Sequence, residues 1–235
     1  GMVNAPKLGL LSYVCRGFDP AGDTDIVFVP VGTNFDRVVE QRTLIANVNT
    51  DYRGKGAGFV LGSTFAFVCR QVWLKLTRRW EGFGMAVANF GKPLSLRDWS
   101  KRNDLSLVSL EQEALFTAVE ALGNELHRRI VATIPVLAVP LLAMLVLTTD
   151  EPMTRNQLQQ KALKELEDLR GKGAHPGIKE GGEEIAIIEG IDLMHRLGLI
   201  TINGHGKVEP HADERDLLQY HANSIVQLSA SLEAE

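Results

Sequence analysis

The pattern of apolar and polar positions changes part of the way along the chain. Before about residue 104, short apolar runs alternate with turn residues, which is typical of strands and their connections. After it, apolar positions recur every three to four residues, which predicts helices over 107–131, 154–170, 183–197 and 213–230. We therefore expect an α+β fold with a first domain over 1–104 and a mainly helical domain over 105–235.

A β-hairpin interrupts the predicted helices. Residues 199–210 read LITINGHGKVEP, with Asn203-Gly204 as the turn. The order helix, helix, hairpin, helix predicts a winged-helix-like arrangement. Winged helices often bind DNA, but residues 151–210 carry eight Lys/Arg and ten Asp/Glu. Since phosphate neutralisation dominates nucleic-acid affinity, we expect no nucleic-acid partner.

One apolar run raises the question of a membrane. Residues 130–147 read IVATIPVLAVPLLAMLVL, an uncharged stretch just long enough to cross the hydrocarbon core of a bilayer. Pro135 and Pro140 interrupt it, and proline is costly inside a helix beyond the first turn. We predict the end of one helix, a proline-containing connection and a buried helix from about Pro140. Whether this run touches a membrane stays open.

Residues 26–40 read IVFVPVGTNFDRVVE. The first six residues are a continuous run rich in β-branched side chains, which predicts a strand buried on both faces. Nothing in the stretch is an obvious nucleophile, general base or metal ligand. Two interpretations therefore stay open: a buried strand and its exit, or one part of a site completed elsewhere.

Composition and charge narrow the functional classes. The chain has 235 residues, 45% of them hydrophobic, and a formal net charge of −4. No global positive field therefore favours nucleic acid or anionic lipid, and any such binding needs a local patch. Cys15 and Cys69 form neither a disulfide framework nor a paired metal motif, which suits a reducing cytoplasm. We expect no metal, because the histidines lack metal-ligand spacing.

One short pattern imitates a catalytic pair. His211 and Asp216 satisfy H-x-x-x-x-D, in which a carboxylate could orient a histidine general base for acyl transfer. The histidine follows Pro210 at the start of a helix, where Asp213 and Glu214 are favoured by the helix dipole. We interpret the pair as a helix start and expect no catalytic role for it.

A basic, aromatic segment is a candidate membrane contact. Residues 59–80 are apolar first and then basic, and their last part places cations beside aromatic side chains: Trp73, Lys75, Arg78, Arg79 and Trp80. If helical, this segment could lie at an anionic lipid surface. A domain helix with a solvated basic end is the other interpretation, and both stay open.

The stretch over 26–40 resembles the fourth conserved block of the membrane-associated glycerol-3-phosphate acyltransferases, in which a strand runs into Pro-Val and ends in an aromatic–acidic pair. Further segments resemble that family in the same order. These are the helix PKLGLLSYV (6–14), the strand and Phe-Gly-x-Pro exit VANFGKPLSL (87–96), the helical stretch 124–147, the TRNQL helix, and LLQYHANSI (217–225). The likeness thus extends over nearly the whole chain.

The resemblance implies acyl transfer from acyl-CoA or acyl carrier protein to the 1-hydroxyl of glycerol 3-phosphate in phospholipid biosynthesis, with no other cofactor. The family's histidine base and phosphate-binding arginines precede the fourth block, so none of this chain's residues is expected to be catalytic. We expect a C-terminal piece, inactive alone, produced by truncation or by a gene start placed too late. Its first domain would be part of the α/β acyltransferase sheet.

The residues that the resemblance assigns to substrate binding are Pro30, Val31, Phe35 and Asp36, with Arg37 as a weaker neighbour. In the family this block helps to shape the pocket for the acyl donor and acceptor. Phe35 departs from the more usual tyrosine, which leaves the role of that hydroxyl in doubt. For Pro30 and Val31, a purely structural strand end and direct ligand contact stay equally open.

Two other functional classes remain as alternatives. One is a non-catalytic membrane-docking or protein-interaction module, and the other is a winged-helix regulator. The resemblance favours a peripheral position on the cytoplasmic face of the inner membrane, with an anionic membrane surface as partner. An exposed sheet edge would need covering, and a homo-oligomer is one way to cover it.

Overall fold

The computed structural model describes residues 2–37 and 84–233. In these ranges seven α-helices and three small antiparallel sheets confirm the mixed α+β class. The elements in chain order are α1 (Leu8–Arg16), β1 (Val27–Phe28), β2 (Val31–Phe35), β3 (Ala86–Phe90), β4 (Leu94–Ser95), α2 (Leu96–Arg102), α3 (Gln112–Ala132), α4 (Ala138–Thr148), β5 (Met153–Thr154), α5 (Arg155–Gly171), α6 (Glu183–Arg196), β6 (Ile200–Ile202), β7 (Lys207–Pro210) and α7 (Arg215–Glu233).

The first apolar cluster is built around α1, α2 and α3. Leu96 and Trp99 of α2 are buried against Val119 and Leu122 of α3. Helix α1 packs on α3 at Gly123, where an added Cβ would lie 2.8 Å from a Leu8 methyl carbon. The absence of a side chain at Gly123 therefore lets the two helices approach closely.

The second apolar cluster surrounds α4. Every residue from Ala138 to Val146 is buried, because α5, α6 and α7 pack around this helix. Pro140 is tolerated because it lies in the first turn, where a backbone N–H has no partner within the helix. The predicted connection and buried helix are thus confirmed, with the helix beginning at Ala138.

Helix α4 is short in comparison with a bilayer. Its 11 residues rise about 16 Å, roughly half the thickness of a hydrocarbon core. Among the residues that the structure describes, no helix is long and apolar enough to cross a membrane.

The second cluster also carries a three-stranded sheet. Strands β6 and β7 form the predicted hairpin, with Ile202 opposite Val208, and β5 pairs with the other edge of β7. A capping box is present at the start of α5, where the Thr154 and Gln157 side chains bond reciprocally to the backbone. The resemblance to winged helices stays a prediction.

The expected strand buried on both faces over 26–31 is wrong. Pro30 separates two short strands, because it has no N–H for a ladder: β1 pairs with β4, and β2 pairs with β3. Val27, Val29 and Val31 are exposed, whereas Pro30 is buried. The β-branched run therefore packs on one side only.

The two apolar clusters meet near the end of α3. Leu115, Val119 and Leu122 of that helix belong to the first cluster, and the second begins at Val136. The predicted division into domains over 1–104 and 105–235 stays a prediction.

Candidate functional site

Strand β2 has two chemically different faces. Its side chains alternate between exposed and buried from Val31 to Phe35, as the period of two along a strand requires. Val31, Thr33 and Phe35 point to the exposed side. Gly32 and Asn34 are buried, and the alternation continues to Asp36 just beyond the strand.

The buried face of β2 runs along the connection between α3 and α4, residues 133–137. A Cβ added to Gly32 would lie 2.5 Å from the backbone carbonyl carbon of Thr133. The Asn34 side-chain amide donates to the carbonyl oxygen of Pro135 at 2.9 Å. Asp36 reaches the start of α4 itself. Alternate residues of the strand thus hold successive points from the end of α3 to the first turn of α4.

Asp36 accepts a hydrogen bond at the N-terminus of the buried helix. Its Oδ1 accepts from the backbone N–H of Val139 at 3.3 Å, and the residue is 8% exposed. Helix α4 has no side-chain cap at Leu137 and no acidic residue in its own first turn. Asp36 therefore supplies, from another element, the acceptor and negative charge that favour a helix N-terminus.

The environment of Asp36 changes its acidity. Burial raises the pKa of this carboxyl to about 6, and the bond from Val139 opposes that rise by stabilising the charged form. The group is therefore mostly ionised at neutral pH and protonated in mild acid.

Asn34 also ties the strand to the last helix. Its amide donates to Ser224 Oγ at 3.2 Å, and that hydroxyl donates to the carbonyl oxygen of His221 at 3.1 Å. All three residues are buried. This chain of hydrogen bonds joins β2 and α7, and Asn34 and Ser224 are 190 residues apart in the sequence.

A cavity of about 260 Å³ lies between β2 and α7. Thr33, Asn34 and Phe35 form one side, and Tyr220 and His221 contribute to the other. The His221 ring is 3% exposed and meets the Tyr220 ring edge-on at 5.7 Å. Burial lowers the pKa of His221 to about 4, so the ring is neutral at pH 7. No lysine or arginine is among the described residues that line this cavity.

The exposed face of the β2–β3 sheet is largely apolar. Val31 lies opposite Phe90, Thr33 opposite Ala88, and Phe35 opposite Ala86. Val31 is 39% exposed, Phe35 43% and Phe90 73%. This face has the chemistry to bind apolar groups, whereas the buried face is occupied by structural contacts.

The five residues assigned to substrate binding do not share one surface. Val31 and Phe35 lie on the exposed face of β2, and Asp36 lies on the buried side. The Pro30 carbonyl accepts from the Gly91 N–H at 2.8 Å, so this residue fixes the strand exit. Arg37 is half-buried beside Gly84, whose φ of +78° suits glycine.

The imitation catalytic pair is a helix start, as interpreted. His211 Nδ1 accepts from the Asp213 backbone N–H at 3.3 Å and so caps a single 3₁₀ turn, Ala212–Glu214, ahead of α7.

The candidate membrane contacts Trp73, Lys75, Arg78, Arg79 and Trp80 lie outside the described residues, and their role stays a prediction.

Sequence reasoning missed Gly32, Asn34, His221 and Ser224. A signal for the first two was available, because Gly32, Asn34 and Asp36 alternate with Val31, Thr33 and Phe35 and so belong to one face. Nothing local marks the two partners on α7. In the described parts of the chain, no three His, Cys, Asp or Glu side chains are grouped to hold a metal ion.

Comparison with known proteins gives a consistent family. Glycerol-3-phosphate acyltransferases of Pseudomonas fluorescens (strain SBW25) and Pseudomonas entomophila (strain L48) are each 26% identical to this chain, over 98% of its length. That of Pseudomonas putida (strain W619) is 30% identical over 41% of the chain. The chain spans about 27% of the length of the first two relatives. Residues 73–231 match the model of the glycerol-3-phosphate acyltransferase C-terminal region, and the chain belongs to that family.

Proposed function

We propose that this chain serves as the C-terminal region of a glycerol-3-phosphate 1-O-acyltransferase of phospholipid biosynthesis. The observation that carries the proposal is the family match over residues 73–231. Relatives that bear the enzyme's name and align with nearly the whole chain support it. In the proposed reaction the 1-hydroxyl oxygen of glycerol 3-phosphate bonds to the thioester carbonyl carbon. The carbon–sulfur bond then breaks, and the proton of the attacking hydroxyl passes to the released thiolate of CoA or acyl carrier protein, which leaves as the thiol.

The two faces of β2 suggest a division of labour within this proposal. Val31 and Phe35, with Phe90 beside them, form an apolar wall for the acyl donor. Asp36 and Pro30 are positioning residues, since one binds the N-terminus of α4 and the other binds Gly91. Arg37 follows Phe35 of this wall by two residues and would favour the acceptor phosphate.

A chimera tests the function. This chain replaces the matching segment of the Pseudomonas fluorescens (strain SBW25) protein, and labelled glycerol 3-phosphate is followed into lysophosphatidate. We expect product from the chimera and none from the relative with the segment deleted. A folded chimera without product, under conditions in which the intact relative works, would overturn the proposal and favour a non-catalytic interaction module.

Matched variants of the chimera test the wall. Phe35→Ala removes an exposed aromatic surface of β2, and Ile185→Ala removes an exposed apolar side chain from α6 as a control. We expect Phe35→Ala to raise the KM for acyl-CoA several-fold while Ile185→Ala leaves it unchanged. Equal effects of the two substitutions would remove Phe35 from the substrate pocket.

Peripheral association with an anionic membrane is a further part of the proposal, as is homo-oligomerisation to cover exposed strand edges. Co-sedimentation with anionic liposomes tests the first, with Arg78 and Arg79 neutralised as the comparison. Indifference of binding to both lipid charge and these substitutions would refute membrane association.

For nucleic acid we expect no retention of duplex at low salt, because residues 151–210 are acidic.

A further inference from the structure

A groove with clustered cations lies between the end of α2, the β3–β4 turn and α3. Its volume is about 480 Å³, and Lys101, Arg102 and Arg129 line it together with Ser95 and Asp98. We call this surface the α2–α3 basic groove. It lies outside the β2 site described above.

The cations of this groove are held around one carboxylate. Glu125 accepts from Arg129 Nη2 at 2.7 Å and from Trp99 Nε1 at 3.0 Å, and Arg102 Nη2 lies 4.0 Å from it. The indole bond and the Arg129 bond fix this carboxylate and lower its pKa, against the opposing effect of its partial burial. Glu125 therefore stays charged and engages Arg129, while the Arg102 side chain remains 59% exposed.

Positive charge remains in excess after this pairing. The carbonyl oxygen of Lys92 accepts from Arg129 at 3.5 Å, which places a fourth cationic residue, the exposed Lys92, at the rim. Among the described residues that line the groove or bond to its lining, there are four cations (Lys92, Lys101, Arg102 and Arg129) and two carboxylates (Asp98 and Glu125), an excess of two positive charges on a chain with a net charge of −4. A local excess against an opposite background can select and orient an acidic partner.

The shape of the groove favours a protein partner over a small phosphate or a bilayer. The groove is shallow and open, and its cations stand at the surface, whereas small-ligand sites enclose most of the ligand. Its apolar lining is Pro93 and Leu94, and Leu94 is 2% exposed, so this lining offers no large side chain to enter a lipid layer.

The groove adjoins the proposed acyl-donor wall. Lys92 follows the exposed Phe90 by two residues, so the rim of the groove begins where strand β3 ends. We propose that the α2–α3 basic groove docks the acidic surface of an acyl carrier protein. This inference rests on the proposed function, and it commits the donor to a carrier protein that places its acyl group against the β2–β3 face.

Binding of purified holo acyl carrier protein to the 235-residue chain tests the inference. Lys101→Glu/Arg102→Glu reverses two groove charges, and Lys164→Glu/Lys179→Glu makes the same change in net charge at exposed positions of the second cluster. At low ionic strength we expect the groove variant to bind at least about tenfold more weakly and the control to bind within about twofold of the unaltered chain. Added salt should weaken binding of the unaltered chain.

Several results would overturn the inference: no binding by the unaltered chain at low salt, or equal loss in both variants. Loss of phosphatidylglycerol-vesicle binding with carrier binding unchanged would assign the groove to lipid instead. Lys101→Gln/Arg102→Gln replaces the charge reversal if that variant fails to fold. Acyl transfer from acyl-CoA in the chimera distinguishes the proposed function from the proposed docking site. If the chimera uses acyl-CoA but the chain binds no carrier protein, the function stands and only the docking site is refuted.

Discussion

Asp36 illustrates how a residue singled out by its motif can have a structural role that the motif does not show. The resemblance assigns it to a substrate pocket, which stays a prediction, and the structure shows its buried carboxylate accepting from the first turn of α4. Its importance for folding therefore needs no ligand. The sequence singled out the residue but could not identify its partner, because 103 positions separate it from Val139.

Substitutions at Asp36 should separate charge from hydrogen bonding. Asp36→Asn keeps an acceptor for the Val139 N–H and removes the cost of a buried charge, so we expect it to stabilise the protein at pH 8 by about 1–3 kcal/mol. Asp36→Ala leaves that N–H without its partner and should be less stable than Asp36→Asn by about 1 kcal/mol. Denaturant unfolding at pH 8 measures both, and an Asn variant less stable than the Ala variant would contradict this account.

Asp36 and His221 should give opposite dependences of stability on pH. The pKa of Asp36 is raised from 3.8 to about 6, so its contribution is fully present below 3.8 and is lost as pH rises to about 6. The pKa of His221 is lowered from 6.5 to about 4, so its contribution is present above 6.5 and is lost as pH falls to about 4. Between pH 4 and 6 the two effects oppose each other.

Single variants should reveal each slope. As pH falls from 6 to 4, Asp36→Asn should lose stability and His221→Gln should gain it, each by about 1.4 kcal/mol per pH unit. In the unaltered protein the two contributions should largely cancel, so its unfolding free energy should change much less between pH 4 and 6. Unfolding free energies measured at intervals across this range provide the test, and parallel slopes in the two variants would contradict it.

At the scale of elements, the buried face of strand β2 lies so close to the α3–α4 connection that Gly32 has no room for a larger side chain. Gly32 lets the sheet lie directly against the backbone of Thr133, and Asn34 binds the next turn of the connection. Local signals predicted the hairpin at Asn203-Gly204, because its two strands are only a few residues apart. Which side chains of residues 26–31 are buried depends on how the run packs against α3 and α4, and no local pattern contains that information.

Gly32→Ala should therefore destabilise the protein by about 1–3 kcal/mol, because the new methyl group overlaps backbone that cannot rotate away. Gly9→Ala is the matched control, since a Cβ at that helical position meets nothing within 4 Å. It should stabilise the protein by up to about 1 kcal/mol. Thermal unfolding of both variants gives the comparison, and a neutral Gly32→Ala would show that the strand can move away from α3.

At the scale of the whole molecule, buried polar contacts help to join the regions of the two apolar clusters in the described parts of the chain. The Asn34 amide reaches both the connection and Ser224 of α7, so it links segments from the two ends of the chain. The sequence predicted the two regions by their different periodicity. It could not show where they meet, because the polar part of that contact consists of isolated residues without a repeating pattern.

Asn34→Ala should loosen both regions together. Its loss leaves the Pro135 carbonyl without its buried amide donor, at a cost of about 1–3 kcal/mol. Hydrogen exchange should quicken in β2 and around Ser224 of α7. Asn223→Ala on the same helix removes only an exposed bond with Gln219 and should change stability by less than about 0.5 kcal/mol. Faster exchange confined to β2 would contradict the coupling.

The order of the elements along the chain has a consequence for synthesis. Helix α4 is uncharged and its residues 138–146 are buried, yet α5, α6 and α7, which cover it, follow it in sequence. Translation proceeds at about 5–20 residues per second, so the apolar helix waits several seconds for its covers. During that interval we expect a chaperone or a membrane surface to cover the apolar side chains that the folded protein later buries.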